Sequence, residues 1–92
     1  MNPAIESAKL AIGRGFRLQW EPAQNSHVLL YPEGMVKLNG SAGEILNRCN
    51  GERTATEIVA DLEGAYGASG LSDDVMAFVA FALENKWLEI RS

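Results

Sequence analysis

Few side chains in this sequence could act as a nucleophile, a base or a metal ligand. The single cysteine, Cys49, and the single histidine, His27, fall in different predicted elements. Nucleophilic catalysis requires a base beside the nucleophile, and Cys49 lies on an apolar helix stripe, where a free cysteine is usually a buried core residue. The adjacent carboxylates Asp73 and Asp74 are better explained as charges at a helix start. No set of residues has metal-ligand spacing. We therefore predict that the protein is not an enzyme and uses no cofactor.

Length and composition indicate one small folded domain in a reducing compartment. The chain has 92 residues, 47% of them hydrophobic, and one cysteine, which rules out an internal disulfide. Its longest apolar run, Val75 to Leu83, has nine residues and is too short to cross a bilayer. The N-terminal segment lacks the long apolar region of a secretion signal. We expect a cytoplasmic protein that does not enter a membrane.

Two Ser/Thr-x-x-Glu patterns predict the starts of two helices. They are formed by Ser41 with Glu44 and by Thr54 with Glu57. In such a capping box, the hydroxyl accepts a hydrogen bond from a free N–H of the first turn and the Glu side chain accepts one in return. Two helices joined by a short glycine-containing turn also begin a DNA-binding helix-turn-helix. The pattern alone therefore leaves DNA open as a partner.

The distribution of charge argues against DNA. The net charge is −4, and the candidate helix at 54–66 carries three acidic residues and no basic one. The following candidate, 71–86, carries three acidic residues and one lysine. DNA-binding domains obtain most of their non-specific affinity from Lys and Arg near phosphates. Either helix would present net negative charge to the duplex, so we predict no binding to DNA.

The pattern of apolar residues predicts an α+β fold that is winged-helix-like. A three-stranded antiparallel sheet comes first, with alternation or apolar enrichment typical of strands. Three helices follow, the first two with apolar residues at i, i+3, i+4 and i+7, and a short strand ends the chain. Residues 1–15 are expected to form a mobile arm, and residues 16–92 a single domain. The predicted strands are Phe16–Trp20, His27–Tyr31 and Met35–Leu38, and the helices begin near Ser41, Thr54 and Ser72.

The third predicted helix is apolar on every side. Its run from Val75 to Leu83 makes about two and a half turns, and such a helix is normally buried all round. In a domain of this size, however, each helix keeps an outer face. That face is covered by the N-terminal arm or a second copy of the chain, or it forms one wall of a binding groove. If it forms a groove, Phe78 and Phe81 should differ, one in the core and one in the groove.

The third strand is the natural second wall of such a groove. Met35–Leu38 follows a hairpin turn, so it pairs with the second strand on one side and has no obvious partner on the other. Proteins use such an edge to bind an extended peptide as an added strand. The alternative is an idle edge, protected by its shortness and by Lys37. The residues by themselves favour neither.

Two stretches of the sequence resemble a known family. The run "LLYPEGMVKLNGSAGEILNRCNGERTATEIVADL", with "RLQWEPAQN" before it, is similar to PqqD proteins of pyrroloquinoline quinone (PQQ) biosynthesis. The most specific part is "LLYPEGMVKLN.SA.EIL..C.G", and the resemblance covers roughly residues 10–90. It implies a winged-helix domain of the kind that recognises precursor peptides for the enzymes that modify them.

The resemblance also implies partners and a site. The precursor peptide PqqA would be bound and presented to the radical S-adenosylmethionine enzyme PqqE, which cross-links a Glu and a Tyr of the peptide. In this class the peptide adds beside the third strand and against the third helix. An older idea for the family, binding of the quinone product or an intermediate, remains the alternative. The implied peptide-binding residues are Met35, Val36, Lys37, Leu38, Val75, Phe78 and Val79.

The sequence is compatible with more than one oligomeric state. A small domain with a mobile arm can exchange an element with a second copy. We expect a monomer, or a homodimer that is weak or domain-swapped.

Overall fold

A computed structural model of the protein describes residues 7–91. Within this range the chain forms six strands and three helices, which are numbered here in chain order. The elements are β1 (Lys9–Ile12), β2 (Arg17–Glu21), β3 (Ser26–Tyr31), β4 (Gly34–Lys37), α1 (Gly40–Asn47), β5 (Asn50–Thr54), α2 (Ala55–Tyr66), α3 (Ser72–Glu84) and β6 (Leu88–Arg91). The predicted α+β class is confirmed.

The first sheet is the one that the sequence predicted. Strands β2, β3 and β4 are antiparallel and lie in that order. Only Pro32 and Glu33 separate β3 from β4, because Tyr31 pairs with Gly34 across the turn. On the inner face of this sheet Leu18, Leu29 and Val36 lie in register across the three strands. Leu29 is fully buried, while Leu18 and Val36 pack against the edge of the core.

A second sheet was not predicted. It has the order β5-β1-β6, with β1 antiparallel to both neighbours. The predicted mobile arm at residues 1–15 therefore differs from the structure over Lys9–Ile12, which is the central strand of this sheet, with Leu10 fully buried. Residues 1–6 of that arm lie outside the described residues. The terminal strand predicted near Trp87–Ile90 is confirmed as β6.

The helices begin within one residue of the predicted positions, at Gly40, Ala55 and Ser72, but only one of the two predicted capping boxes forms. Thr54 forms the predicted capping box with Glu57. Helix α1, however, is capped by Asn39, whose side chain accepts a hydrogen bond from the Ala42 N–H at 2.7 Å. Ser41 instead donates its hydroxyl hydrogen to Asn39 at 3.2 Å. Helix α3 begins at Ser72, as predicted, and has no side-chain cap.

One core joins both sheets and all three helices. Helix α3 contributes Val75, Met76, Val79 and Ala82, which are 6% exposed or less. The same helix leaves Phe81 50% exposed. Helix α3 is thus buried on one side only, and an apolar outer surface remains.

Helix α1 lies unusually close to strand β3. A Cβ atom added at Gly43 would lie 2.8 Å from Nδ1 and 3.1 Å from Cβ of His27. Real Cβ contacts are longer than this, so only glycine fits without a shift of the helix or the imidazole. Gly43 therefore sets the distance between α1 and the first sheet.

We expect Gly43→Ala to lower the free energy of unfolding by about 1–3 kcal/mol, because overpacking forces a shift of strand or helix. Gly64→Ala is the matched control, since Gly64 lies in α2 and a Cβ there would meet nothing within 4 Å. It should raise stability by about 0.5–1 kcal/mol. Urea unfolding followed by circular dichroism measures both. A Gly43→Ala variant as stable as the wild type would show that α1 moves away from β3 at no cost.

The caps give a second prediction. Thr54→Ala and Asn39→Ala should each lower the free energy of unfolding by about 1 kcal/mol, whereas Ser41→Ala should change it by less than about 0.5 kcal/mol. Hydrogen bonding from the Thr54 backbone N–H also lowers the pKa of Glu57. The stabilisation that comes from this hydrogen bond is therefore present above the pKa of glutamate in the unfolded chain. It is lost as the pH falls through the lowered pKa of Glu57 in the folded protein. Equal losses for Ser41→Ala and Asn39→Ala in denaturant titrations would contradict this assignment of the caps.

Candidate functional site

Strand β4 has a free edge. Among the described residues it pairs with β3 alone. Just beyond the strand, the Leu38 N–H donates to the His27 carbonyl of β3 at 3.1 Å. Because N–H directions alternate along a strand, the Val36 N–H points to β3 as well. The N–H groups of Met35 and Lys37 point to the open side.

The side chains of this strand alternate between an exposed face and the face that meets the core. Met35 is 51% exposed and Lys37 is exposed. Val36 packs against the core, and Leu38 is buried within it. Of the four predicted site residues in this segment, Met35 and Lys37 are therefore the exposed ones. Val36 and Leu38 mainly hold the strand in place.

An apolar pocket lies near the end of β4. It has a volume of about 350 Å³, and most of the residues that line it are apolar. The start of α1, the end of α2 and the start of α3 form its walls. Asn39, two residues beyond Lys37, lies at its border, so the pocket is close to the C-terminal end of β4. Its lining residues are Asn39, Ser41, Ala42, Ile45, Leu62, Tyr66, Leu71, Asp74, Val75 and Phe78.

The pocket contains two of the three predicted site residues of α3. Phe78 is half-buried and Val75 is 4% exposed, and both line the cavity. Val79 is fully buried and does not line it, so the structure places Val79 in the core. The walls from α1 and α2 were missed because the apolar stripes of those helices predicted only core packing. Tyr66 was the available signal in the sequence, since it extends the α2 stripe by one turn. In the structure its side chain is 56% exposed and lines the pocket.

A second apolar surface continues from the pocket along α3. The exposed ring of Phe81 meets the indole of Trp87 edge-on, with 5.3 Å between ring centroids. The Phe78 ring lies 6.3 Å from the same indole. Trp87 therefore connects the pocket wall to the outer surface of α3.

The side chains that suggested chemistry serve the structure. Cys49 is 3% exposed, and its thiol donates to the Ile45 carbonyl at 3.2 Å. Burial raises the pKa of this thiol to about 12, so it stays protonated at neutral pH. His27 packs against α1 and contacts the Trp20 ring edge-on at 5.0 Å. Within residues 7–91 there is no group of three His, Cys, Asp or Glu placed to hold a metal ion. None of the helices described is long and apolar enough to cross a membrane.

The fold and the site together define a small α+β binding domain with an open strand edge beside an apolar pocket. Residues 26–88 match the family of Coenzyme PQQ synthesis protein D (PqqD). That match spans more than half of the chain, and the chain belongs to this family. The resemblance identified in the sequence is thereby confirmed.

A curated relative and two solved structures agree with this assignment. The PqqA binding protein of Stutzerimonas stutzeri (strain A1501) is 57% identical over 79 residues, which cover 85% of this chain and 86% of the relative. The solution structure of the PqqD part of Methylobacterium extorquens PqqCD, described as a functional and stand-alone recognition element for ribosomally synthesised and post-translationally modified peptides, has a TM-score of 0.73. It is 29% identical, and the match covers 97% of this chain and 99% of that one. The heterocyclase TruD is 26% identical with a TM-score of 0.68, over 91% of this chain and 12% of TruD.

The two phenylalanines of α3 should respond differently to truncation. Phe81→Ala should change the free energy of unfolding by less than about 1 kcal/mol, because half of that side chain is already in water. Phe78→Ala should cost about 2 kcal/mol, less than the ~3–5 kcal/mol of a fully buried phenylalanine. Thermal unfolding of both variants measures the difference. If both variants unfold at room temperature, α3 has no free outer surface.

Proposed function

We propose that this protein binds the precursor peptide PqqA in pyrroloquinoline quinone biosynthesis and presents it to the radical S-adenosylmethionine enzyme PqqE. The observation that carries the proposal is the unpaired edge of β4 beside an apolar pocket. Relatives from several bacteria have the name PqqA binding protein. A bound peptide is therefore the occupant that agrees best with both the geometry and the family.

The peptide docks as an added strand. The outward N–H groups of Met35 and Lys37 donate to its carbonyls, and the outward carbonyls of β4 accept from its N–H groups. Alternate peptide side chains then face the protein, where the pocket receives an apolar one. In this arrangement Met35, Val36, Lys37 and Leu38 form one wall of the site. Val75 and Phe78 line the second wall, and Val79 supports it from the core.

The chemistry of the domain supports presentation of the peptide to an enzyme. Its one thiol is buried and protonated, and its one imidazole is packed between a helix and an indole. We infer that cross-linking of the peptide takes place on a partner. A similar domain makes up 12% of the heterocyclase TruD, so this fold also occurs within a much larger modifying enzyme. We propose that here the domain meets the enzyme in the cytoplasm.

Paired proline substitutions test strand addition. Val36→Pro removes an N–H that points to β3 and should lower the stability of the fold. Lys37→Pro removes an N–H that points outward, so the protein should stay folded. It should bind PqqA at least tenfold more weakly, because a hydrogen bond is lost and the proline ring obstructs the peptide. Lys37→Ala is the control, since it keeps the N–H and should bind within about threefold of the wild type. Calorimetry gives the affinities and circular dichroism the folding.

The result that would overturn the site is normal peptide binding by a folded Lys37→Pro protein. Other functions give other outcomes with the wild type. A quinone carrier would change its tryptophan fluorescence with the cofactor and ignore the peptide. An enzyme would change the mass of PqqA without PqqE. A DNA-binding protein would shift a duplex at low salt. Any of these three results would count against the proposed function.

A further inference from the structure

The pocket beside β4 has one charged group at its wall, the carboxylate of Asp74. The other lining side chains are apolar or neutral. The ion pairs found among residues 7–91 involve Glu44, Asp61 and Glu89, and none of them involves Asp74. An exposed and unpaired carboxylate therefore borders an apolar cavity.

The position of Asp74 at a helix start explains only part of this arrangement. Asp73 and Asp74 both lie in the first turn of α3, where the helix dipole favours negative charge. The dipole acts on both residues alike. Only Asp74 lines the pocket. The helix dipole therefore explains why acidic residues occur at the start of α3, but it does not explain why Asp74 lines the pocket.

A peptide side chain that fills the pocket would remove water from around this carboxylate. Desolvation of a charge costs free energy unless an opposite charge or a hydrogen-bond donor replaces the water. A lysine or arginine on the peptide supplies both. An acidic residue at the same place would be repelled, so the same group selects against the wrong peptide.

The geometry of an added strand sets the spacing of the two peptide residues. Side chains at i and i+2 of an extended peptide point to the same face and lie about 6.5–7 Å apart, whereas the one between them points away. Because Asp74 lines the same pocket that receives the apolar side chain, a cation that reaches it comes from the same face of the added strand. We infer that the site recognises a bulky apolar residue with a lysine or arginine two positions away, the apolar side chain in the pocket and the cation on Asp74. This inference rests on the proposed binding of a peptide.

Two matched variants test the role of the protein. Asp74→Asn should weaken binding of PqqA by about three- to fivefold at low salt, the range of a partly exposed ion pair. It should also reduce the dependence of binding on salt. Asp73→Asn loses the same charge from the same helix turn and should bind as the wild type does. Equal weakening by both variants would overturn the inference, because the effect would then come from net charge.

Substitutions in the peptide locate its partner residue. Each lysine and arginine of PqqA is changed singly to glutamine, and binding is measured with the wild type and with Asp74→Asn. One position, two residues from an apolar side chain, should weaken binding to the wild type and leave binding to Asp74→Asn unchanged. The inference falls if every substitution has the same effect on both proteins, or if PqqA lacks a basic residue at that spacing. Absence of binding by the wild type would instead overturn the proposed function.

Discussion

The close approach of α1 to β3 is the constraint on which the site depends. Gly43 admits the imidazole of His27 at a distance that no Cβ atom would allow. The carbonyl of the same histidine accepts the Leu38 N–H, which holds the chain that leaves β4. Asn39 follows at once and caps α1. These three neighbouring interactions together fix the end of the edge strand, the start of α1 and the border of the pocket.

The open edge of β4 favours unwanted association with other chains, and two features of the sequence oppose it. Unpaired strand edges invite association with other chains, and short length and charge are common protections. Strand β4 has four residues and ends with Lys37. Exposed apolar groups nevertheless remain at Met35, Tyr66 and Phe81. Their exposure disfavours the free protein in water, and a binding partner that covers them would gain that free energy.

Arg48 helps to hold the pocket walls in place. Its guanidinium bonds to Glu44 in α1 at 2.7 Å and also to Asp61 in α2. The hydrogen bond to Glu44, with the one to Asp61, raises the pKa of Arg48, although partial burial acts in the opposite direction. The two helices that carry most of the missed pocket residues are therefore tied by charge as well as by the core. A pocket with fixed walls requires less ordering when a peptide binds.

The sequence by itself determined the family, the α+β class, the first sheet, the approximate helix starts and the cap at Thr54, because each of these has a local signal. The alternation of a strand, the apolar spacing of a helix and a capping box each involve residues that are close together in the sequence. The second sheet had no such signal, since β1 is four residues long and pairs with strands about 40 and 80 residues away. The pocket also had no local signal, because residues of three helices line it. An apolar stripe is typical both of a helix that faces the core and of a helix that lines a cavity. Only the tertiary structure decided which of Val75, Phe78 and Val79 meet solvent, because burial depends on what packs against a residue and not on its type.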